Sequence, residues 1–181
     1  MTGVPIDLGR LRALDPVILS EAHRRHLPEI YRYAYYRTND SARAEDIAGE
    51  VFLQLIEALN AGKGPRQNLR GWLYGTASNL VDGYYRKAVA REVELPNHEL
   101  MAEDADPSSQ AEQLERIHTV QAAFARLTPE QKHVLALRLG NGFTVKETAS
   151  LLGKRPGAVR ALQFRAIHSL RQNLSDGKPS L

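Results

Sequence analysis

Hydrophobic residues recur at helical spacing along the chain, and no β-strand pattern persists anywhere. The clearest case is the segment 42–60, where apolar residues fall on one face of a helix and polar residues on the other. The apolar face comprises Ala44, Ile47, Ala48, Val51, Phe52, Leu55 and Leu59. The chain is therefore predicted to be all-α.

Capping residues and prolines predict where the first helices begin and end. Asp15 followed by Pro16 resembles an N-cap with a first-turn proline, and predicts a helix through His26. Pro28 is expected to interrupt this helix, because a proline inside a helix removes a backbone hydrogen bond. A second helical piece then continues to about Arg37.

Similar signals predict two more helices further along the chain. Asn68 is expected to cap a helix that continues to about Arg91. The predicted inner face of that helix comprises Leu69, Trp72, Leu73, Thr76, Leu80 and Tyr84. Thr128 followed by Pro129 predicts the start of another helix. That helix is expected to pack through Val134, Leu135 and Leu137.

A change of composition separates two helical segments. Residues 92–112 contain seven acidic residues, two prolines and two serines, and no Lys or Arg. This composition is typical of a flexible linker. The predicted organisation is two small helical domains joined by an acidic tether. The predicted boundaries are an N-terminal extension 1–15, a first domain 16–91, the linker 92–112, a second domain 113–175 and a tail 176–181.

Charge and composition restrict the class of function. Residues 113–181 hold eleven Lys or Arg and four Asp or Glu, so the second domain is basic and suits a nucleic-acid partner. The absence of cysteine excludes disulfides and thiolate chemistry. No apolar run approaches ~18 residues, and the first residues lack a signal-peptide core. We therefore expect a cytoplasmic protein without membrane insertion.

The segment 144–173 has the spacing of a helix-turn-helix. Ala149 suits the crossing of two helices, Gly153 suits the turn between them, and Val159 can bury the second helix. Pro156 can open that second helix, since the first helical position has no N–H bond to lose. The alternative is two packed helices with a solvated basic face. The side chains expected on the exposed face are Arg155, Arg160, Phe164 and Arg165.

Two further surfaces carry polar residues at helical spacing. Opposite the apolar face of 42–60 lie Asp46, Gly49, Glu50, Leu53 and Glu57, and the alternative is an ordinary solvated face. A glycine in the middle of a helix, such as Gly49, costs roughly 1 kcal/mol of helix stability relative to alanine. The close approach of a partner to the helix backbone would explain why a glycine is present there.

The second surface combines the basic, glycine-rich loop 61–71 with the helix after it. The loop does not match a phosphate-binding P-loop. On the helix, Asn79, Asp82 and Arg86 share one face, and Tyr85 and Lys87 lie beside it. Amide and cationic side chains suit base edges and phosphates, and tyrosine can stack on an exposed base. The alternative is that Trp72 and most tyrosines belong to the core.

These motifs together resemble a known family. The segments 43–59, 69–87 and 127–139 and the helix-turn-helix occur in an order and spacing similar to bacterial sigma-70 family sigma factors of the short extracytoplasmic-function (ECF) group. The likeness covers roughly residues 16–174. The first domain resembles sigma region 2 and the last resembles region 4. It implies a factor, not an enzyme, that binds core RNA polymerase, recognises −10 and −35 promoter elements and helps melt the −10 DNA.

The resemblance also implies partners and site residues. The partners are core polymerase, through its β′ clamp helices and β flap, promoter DNA and an anti-sigma factor, with no cofactor or metal. The implied polymerase-binding residues are Glu45, Asp46, Glu50, Leu53 and Gln54. The implied −10 residues are Lys63, Arg66, Asn68, Arg70, Asn79, Asp82, Tyr85, Arg86 and Lys87. The implied −35 residues are Lys154, Arg155, Arg160, Gln163, Phe164 and Arg165.

Departures from the family pattern leave the promoter sequence open. Gly49 stands where a glutamine is common, and the segment 158–163 is AVRALQ where the family often has TVKSRL. Two other classes of function are retained as alternatives. One is a helix-turn-helix regulator that binds duplex DNA without polymerase. The other is a metal enzyme using His23 and His26, although no carboxylate motif accompanies them.

Overall fold

A computed structural model describes residues 5–90 and 118–176, without the side chains of 87–90. The described chain forms two compact units, an N-terminal unit of residues 5–38 and 42–90 and a C-terminal unit of residues 118–176. All regular structure within these residues is helical, as predicted. The predicted linker 92–112 lies outside the described residues.

The N-terminal unit contains four helices. They are α1 (Leu8–Arg12), α2 (Pro16–Thr38), α3 (Ser41–Asn60) and α4 (Leu69–Ala90). The start of α2 is set by Asp15, whose Oδ1 accepts hydrogen bonds from the backbone N–H groups of Val17 and Ile18. The predicted cap is therefore confirmed. The Arg10 side chain donates to the other carboxylate oxygen at 2.7 Å, and this bond lowers the pKa of Asp15.

The prediction that Pro28 interrupts α2 is wrong, because the helix continues through it to Thr38. Ala22 and Ile30, on either side of the proline, are both fully buried, so tertiary packing holds the two halves in line. His26 Nδ1 and Glu29 Oε2 also lie 3.0 Å apart across this position. These contacts outweigh the single backbone hydrogen bond that the proline removes.

The amphipathic helix α3 was predicted correctly, since the seven residues of its predicted apolar face are its seven buried residues. The inner face of α4 was predicted incorrectly in part. Leu69 and Leu73 are buried as expected, whereas Trp72, Thr76, Leu80 and Tyr84 are only half-buried. The other buried side chains of α4 are those of Tyr74, Ala77, Ser78 and Val81. The buried face of α4 is therefore centred on Tyr74, Ala77 and Val81, and the Trp72 ring remains partly exposed.

The C-terminal unit contains the described helix 118–125 (α5), followed by α6 (Pro129–Leu135), a π-helical turn (Ala136–Gly140), α7 (Val145–Leu152) and α8 (Pro156–Asp176). Val134, Leu135 and Leu137 are buried, as predicted. The π-helical turn was not predicted. A hydrophobic core joins α6, α7 and α8. Its buried members are Leu127, Val134, Leu135, Ala149, Val159, Leu162 and Ala166.

Local sequence sets the ends of these helices. Thr128 forms a capping box with Gln131 at the start of α6, and Thr144 forms another with Glu147 at the start of α7. Each box satisfies two backbone N–H groups that the helix cannot pair by itself. Gly153 ends α7 in the left-handed region at φ +61°, which glycine adopts without steric cost. The turn therefore forms at the predicted glycine.

Candidate nucleic-acid interface

The helix-turn-helix has the geometry of a DNA reader. Ala149 on α7 is buried, Val159 on α8 is fully buried, and Pro156 is the first residue of α8. The opposite side of α8 exposes Arg155, Arg160, Phe164 and Arg165. Phe164 is 73% exposed, which is unusual for an aromatic ring that no partner covers. The α8 face thus combines cations with an apolar contact group.

Three predicted −35 residues make side-chain contacts within the C-terminal unit. Arg165 Nε donates to the backbone carbonyl of Ala161 at 3.4 Å. Lys154 Nζ lies 3.0 Å from Glu130 Oε1 on α6. Gln163 Oε1 accepts a hydrogen bond of 3.0 Å from Arg138 Nε, and Arg138 Nη1 donates to the backbone carbonyl of Phe143. Sequence reasoning did not identify Arg138, since a contact across 25 residues leaves no local pattern.

The outer face of α3 is exposed along the predicted polymerase-binding residues. Glu45, Asp46, Glu50 and Leu53 are exposed, and Leu53 is a large apolar side chain beside these acidic residues. Gln54 Nε2 donates to Glu50 Oε1 at 3.0 Å.

Gly49 lies in the middle of this exposed face. A Cβ placed on Gly49 would meet no atom within 4 Å. The fold itself therefore does not require glycine at this position.

The predicted −10 residues fall into two groups. The first group consists of Lys63, Arg66, Asn79 and Arg86, whose side chains are exposed and make no hydrogen bond or ion pair with another described residue. The side chain of Lys87 lies outside the described part. The second group consists of Asn68, Arg70, Asp82 and Tyr85, and each of these residues has a contact within the N-terminal unit. The exposed group alone offers cations and an amide to a partner without breaking a contact of the fold.

Two contacts of the second group lie at the start of α4. Asn68 Oδ1 accepts from the backbone N–H of Gly71 at 2.9 Å, so Asn68 is the cap that its position predicts. The Arg70 guanidinium lies over the ring of Tyr74, 5.5 Å from the ring centroid, and 3.8 Å from a carboxylate oxygen of Glu29.

A buried cation organises the other end of α4. Arg37 is 2% exposed, and its Nη2 lies 2.7 Å from Asp82 Oδ1, while its Nη1 donates to the Tyr33 hydroxyl at 2.9 Å. The Tyr85 hydroxyl donates to the Arg37 backbone carbonyl. Burial raises the pKa of Tyr33, which keeps its phenol neutral beside this network. Arg37 therefore connects α2 to α4.

Sequence reasoning missed Arg37, although a signal was present. With Ile30, Tyr33 and Ala34 it occupies relative positions 0, 3, 4 and 7 of one helical face, and all four are buried. A cation on an apolar stripe needs an acidic partner when it is buried. Asp82 supplies the carboxylate.

The two histidines considered for a metal site make separate contacts. His23 packs edge-on against Phe52, with ring centroids 4.8 Å apart, whereas His26 is buried and pairs with Glu29. Residues 5–90 and 118–176 contain no group of three His, Asp or Glu side chains placed to hold a metal ion. Among the same residues, no helix is both long and apolar enough to span a membrane.

Fold and surfaces thus define a class, a two-unit helical protein with a helix-turn-helix. Comparison with family models makes this class specific. Residues 22–91 match the model of sigma-70 region 2, and residues 123–172 match that of sigma-70 region 4.

Similar proteins agree with these matches. BldN of Streptomyces coelicolor, an ECF RNA polymerase sigma factor, is 33% identical over 150 residues, covering 81% of this chain and 56% of BldN. SigD of Mycobacterium tuberculosis, also an ECF RNA polymerase sigma factor, is 30% identical over 154 residues, covering 81% of this chain and 72% of SigD. The chain thus spans little more than half the length of BldN.

Two solved structures share the fold. CnrH in complex with the cytosolic domain of CnrY has a TM-score of 0.69 at 18% identity, covering 94% of this chain and 96% of that one. RpoE from Bartonella quintana, in complex with the anti-sigma factor NepR, has a TM-score of 0.63 at 19% identity, covering 82% and 91%. The chain belongs to the sigma-70 family, in its ECF group. The class of function that this family carries is promoter-directed initiation of transcription.

Proposed function

We propose that this chain binds core RNA polymerase in the cytoplasm, directs it to promoters and carries out no reaction of its own. In this proposal the C-terminal unit binds the −35 element and rests on the β flap, while the N-terminal unit docks on the β′ clamp helices and recognises the −10 element. The observation that carries the proposal is the exposed α8 face with Arg155, Arg160 and Arg165, presented by a turn of helix-turn-helix geometry. Such a face fits a DNA major groove.

The −10 assignment rests on the exposed cations and amide around α4. Lys63, Arg66 and Arg86 can neutralise phosphates, and Asn79 offers both a donor and an acceptor to a base. Each phosphate contact adds about 0.9 to the slope of log affinity against log salt. We propose that Asn68, Arg70, Asp82 and Tyr85 support this surface, because their described contacts lie within the unit.

The polymerase-docking surface is the exposed face of α3 from Glu45 to Gln54. Its exposed Leu53 is an apolar contact group beside polar side chains, which resembles the apolar centre and polar rim of a protein interface. Gly49, which the fold does not require, allows that partner to approach the α3 backbone closely.

Promoter selection is tested by in vitro transcription with core polymerase and purified full-length chain. Arg160→Ala and Gln163→Ala should change the preferred −35 sequence and leave the amount of holoenzyme unchanged. Equal loss of holoenzyme in both variants would contradict the assignment of α8. Tight, specific duplex binding by the chain alone, with no transcription from any promoter, would support a regulator independent of polymerase instead.

Docking is tested by charge reversal on α3. Asp46→Lys and Glu50→Lys together should abolish co-migration with core polymerase while helix content is retained. The matched control is Asp176→Lys, which reverses an exposed acid at the end of α8. It changes net charge as much as either single substitution does. Normal co-migration of the double variant would rule out this docking face.

We also propose an anti-sigma factor as a partner, because RpoE, which shares the fold, was solved with one. Copurification of a tagged chain from its own cells, followed by transcription assays with the captured protein, tests this. A captured protein that blocks transcription by the holoenzyme supports the proposal. If transcription by the holoenzyme is unaffected by every captured protein, the proposal fails.

A further inference from the structure

We infer that Arg138, which lies outside the recognition helix, orients the Gln163 carboxamide so that Gln163 recognises a base edge carrying hydrogen-bond acceptors, guanine above all. This inference rests on the proposed function, because it needs α8 to contact −35 DNA. It adds a positioning residue and a base preference to that function.

The starting observation is the direction of one hydrogen bond. A carboxamide has an oxygen that accepts and an amine group that donates. The oxygen of Gln163 accepts from Arg138 Nε at 3.0 Å. Because the carboxamide is planar, its two polar groups point in different directions, and the amine group is turned away from Arg138.

Arg138 is itself held in place. Its Nη1 donates to the backbone carbonyl of Phe143, which is buried and immediately precedes the cap residue Thr144. The guanidinium is planar and rigid, so a bond at Nη1 also fixes the direction of Nε. Arg138 and Gln163 are both half-buried, which limits competition by water for their contact.

Gln163 is also placed to reach DNA. It lies three residues after Arg160 on α8, so the two side chains share a face of the helix. Arg160 is exposed, and so is Phe164, the neighbour of Gln163. Because Arg138 holds the oxygen on its own side, the amide NH2 group is the part of Gln163 that faces DNA on this surface.

This orientation disfavours the usual pairing of glutamine with adenine. A glutamine reads adenine by accepting from N6 and donating to N7, which requires both of its polar groups. With its oxygen held against Arg138, the carboxamide presents its NH2 group to DNA, so donation dominates its contact with a base. Guanine presents two adjacent acceptors, N7 and O6, in the major groove and no donor there. The oriented amide therefore favours guanine over adenine.

The experiment uses holoenzyme and a set of promoters in which every −35 base pair is varied. Gln163→Ala first identifies the base pair that Gln163 reads. At that base pair the wild type should prefer guanine over adenine by about tenfold, within the range of one specific base contact. Arg138→Met, which keeps the length of the side chain but donates no hydrogen bond, should reduce this preference to near parity or reverse it.

Further variants separate positioning from structural support. Arg138→Lys retains a donor and should keep part of the guanine preference. Replacement of guanine by 7-deazaguanine at the same position removes N7, and should weaken the wild type but not Gln163→Ala. The matched control is Lys146→Met, which removes a cation in the first turn of α7. It should leave the base preference unchanged.

Several results would overturn the inference. One is Arg138→Met weakening all −35 sequences equally, with the guanine-to-adenine ratio intact, which would assign Arg138 to the turn alone. Another is a change of preference at a base pair that Gln163→Ala does not affect. Failure of the proposed function looks different, because Arg160→Ala and Gln163→Ala would then alter no −35 preference at all.

Discussion

Removing the carboxylate of Asp82 should destabilise the N-terminal unit by about 2 kcal/mol. Loss of one partner from a fully buried ion pair costs about 3–5 kcal/mol, because the remaining charge is buried without compensation. Arg37 is buried in this way, but the Asp82 side chain is 46% exposed, so water can reach the vacated side of the guanidinium. We therefore expect Asp82→Ala to fall below that range, near the cost of one lost hydrogen bond to a charged group.

Urea unfolding monitored by tryptophan fluorescence measures this free energy. Trp72 is the single tryptophan of the chain and lies on α4, so its emission reports the unit that contains Asp82. The matched control is Asp46→Ala, whose carboxylate is 71% exposed and 3.5 Å from Arg43. An exposed pair of this kind contributes less than about 1 kcal/mol.

A double-mutant cycle with Arg37→Met decides whether the pair is the cause. Once the buried cation is absent, Asp82→Ala should cost little, which gives a coupling energy of about 2 kcal/mol. If Asp82→Ala cost the same in the Arg37→Met background as in the wild type, or no more than Asp46→Ala, the assignment of this ion pair as the connection between α2 and α4 would be refuted.

Three other predictions concern glycines, a cap and tyrosine. Gly153→Ala should destabilise the protein by about 1 kcal/mol because of its positive φ, whereas Gly49→Ala should stabilise it by about 0.5–1 kcal/mol because its Cβ meets nothing. Thermal unfolding measures both. Thr144→Ala should destabilise the start of α7 by about 1 kcal/mol, because it removes the hydroxyl of the capping box. Thr144→Ser keeps this hydroxyl and should retain most of the stability, as the hydrogen-exchange protection of α7 reports. Burial raises the pKa of Tyr33 above 10.0, so the contribution of Tyr33 to stability should be constant below that pH and decrease above it. The alkaline loss of stability should therefore be less steep in Tyr33→Phe, as urea unfolding at several pH values shows.

Each of these predictions has a contrary outcome. Equal effects of alanine at Gly153 and Gly49 would contradict the backbone argument. Unchanged protection of α7 in Thr144→Ala would mean that its N-terminus is held by other contacts. A pH dependence of Tyr33→Phe identical to that of the wild type would assign the alkaline loss of stability to other groups.

Local patterns predicted those elements whose signals lie within a few residues. The face of α3 followed from a single apolar stripe, and the caps at Asp15 and Thr128 followed from adjacent prolines and hydroxyl or carboxylate side chains. In these cases the same residues that give the signal also make the contact. The buried face and the helix caps can therefore be predicted without any information about distant segments of the chain.

Prediction failed where several residues competed for one face. In α4 the weight given to Trp72 and Tyr84 rotated the expected inner face away from Ala77 and Val81, which are buried. Small residues buried against a neighbouring helix carry little hydrophobic signal of their own. At Pro28 the local sequence predicted a helix end that does not occur. Packing of the residues on both sides of the proline outweighs its tendency to break a helix.

The candidate site could be predicted in outline and not in its contacts. The exposed faces of α3 and α8 follow from helical periodicity. The bonds from Arg37 to Asp82 and from Arg138 to Gln163 join residues 45 and 25 positions apart. Nothing in the sequence showed that Asp82 and Gln163 have partners in the fold, and these partners limit which polar groups each side chain has available for any further contact.

The bond between Arg138 and Gln163 also limits how this protein could be re-engineered. A chimera that replaces residues 154–166 with the recognition helix of a relative would exchange Gln163 and keep Arg138. The Arg138 guanidinium would then face whichever side chain the relative has at position 163. Unless that side chain accepts a hydrogen bond, the half-buried Arg138 Nε would lose its acceptor. A functional graft should therefore carry position 138 together with α8. Under the proposed function, the exchangeable module of promoter specificity is therefore discontinuous in sequence.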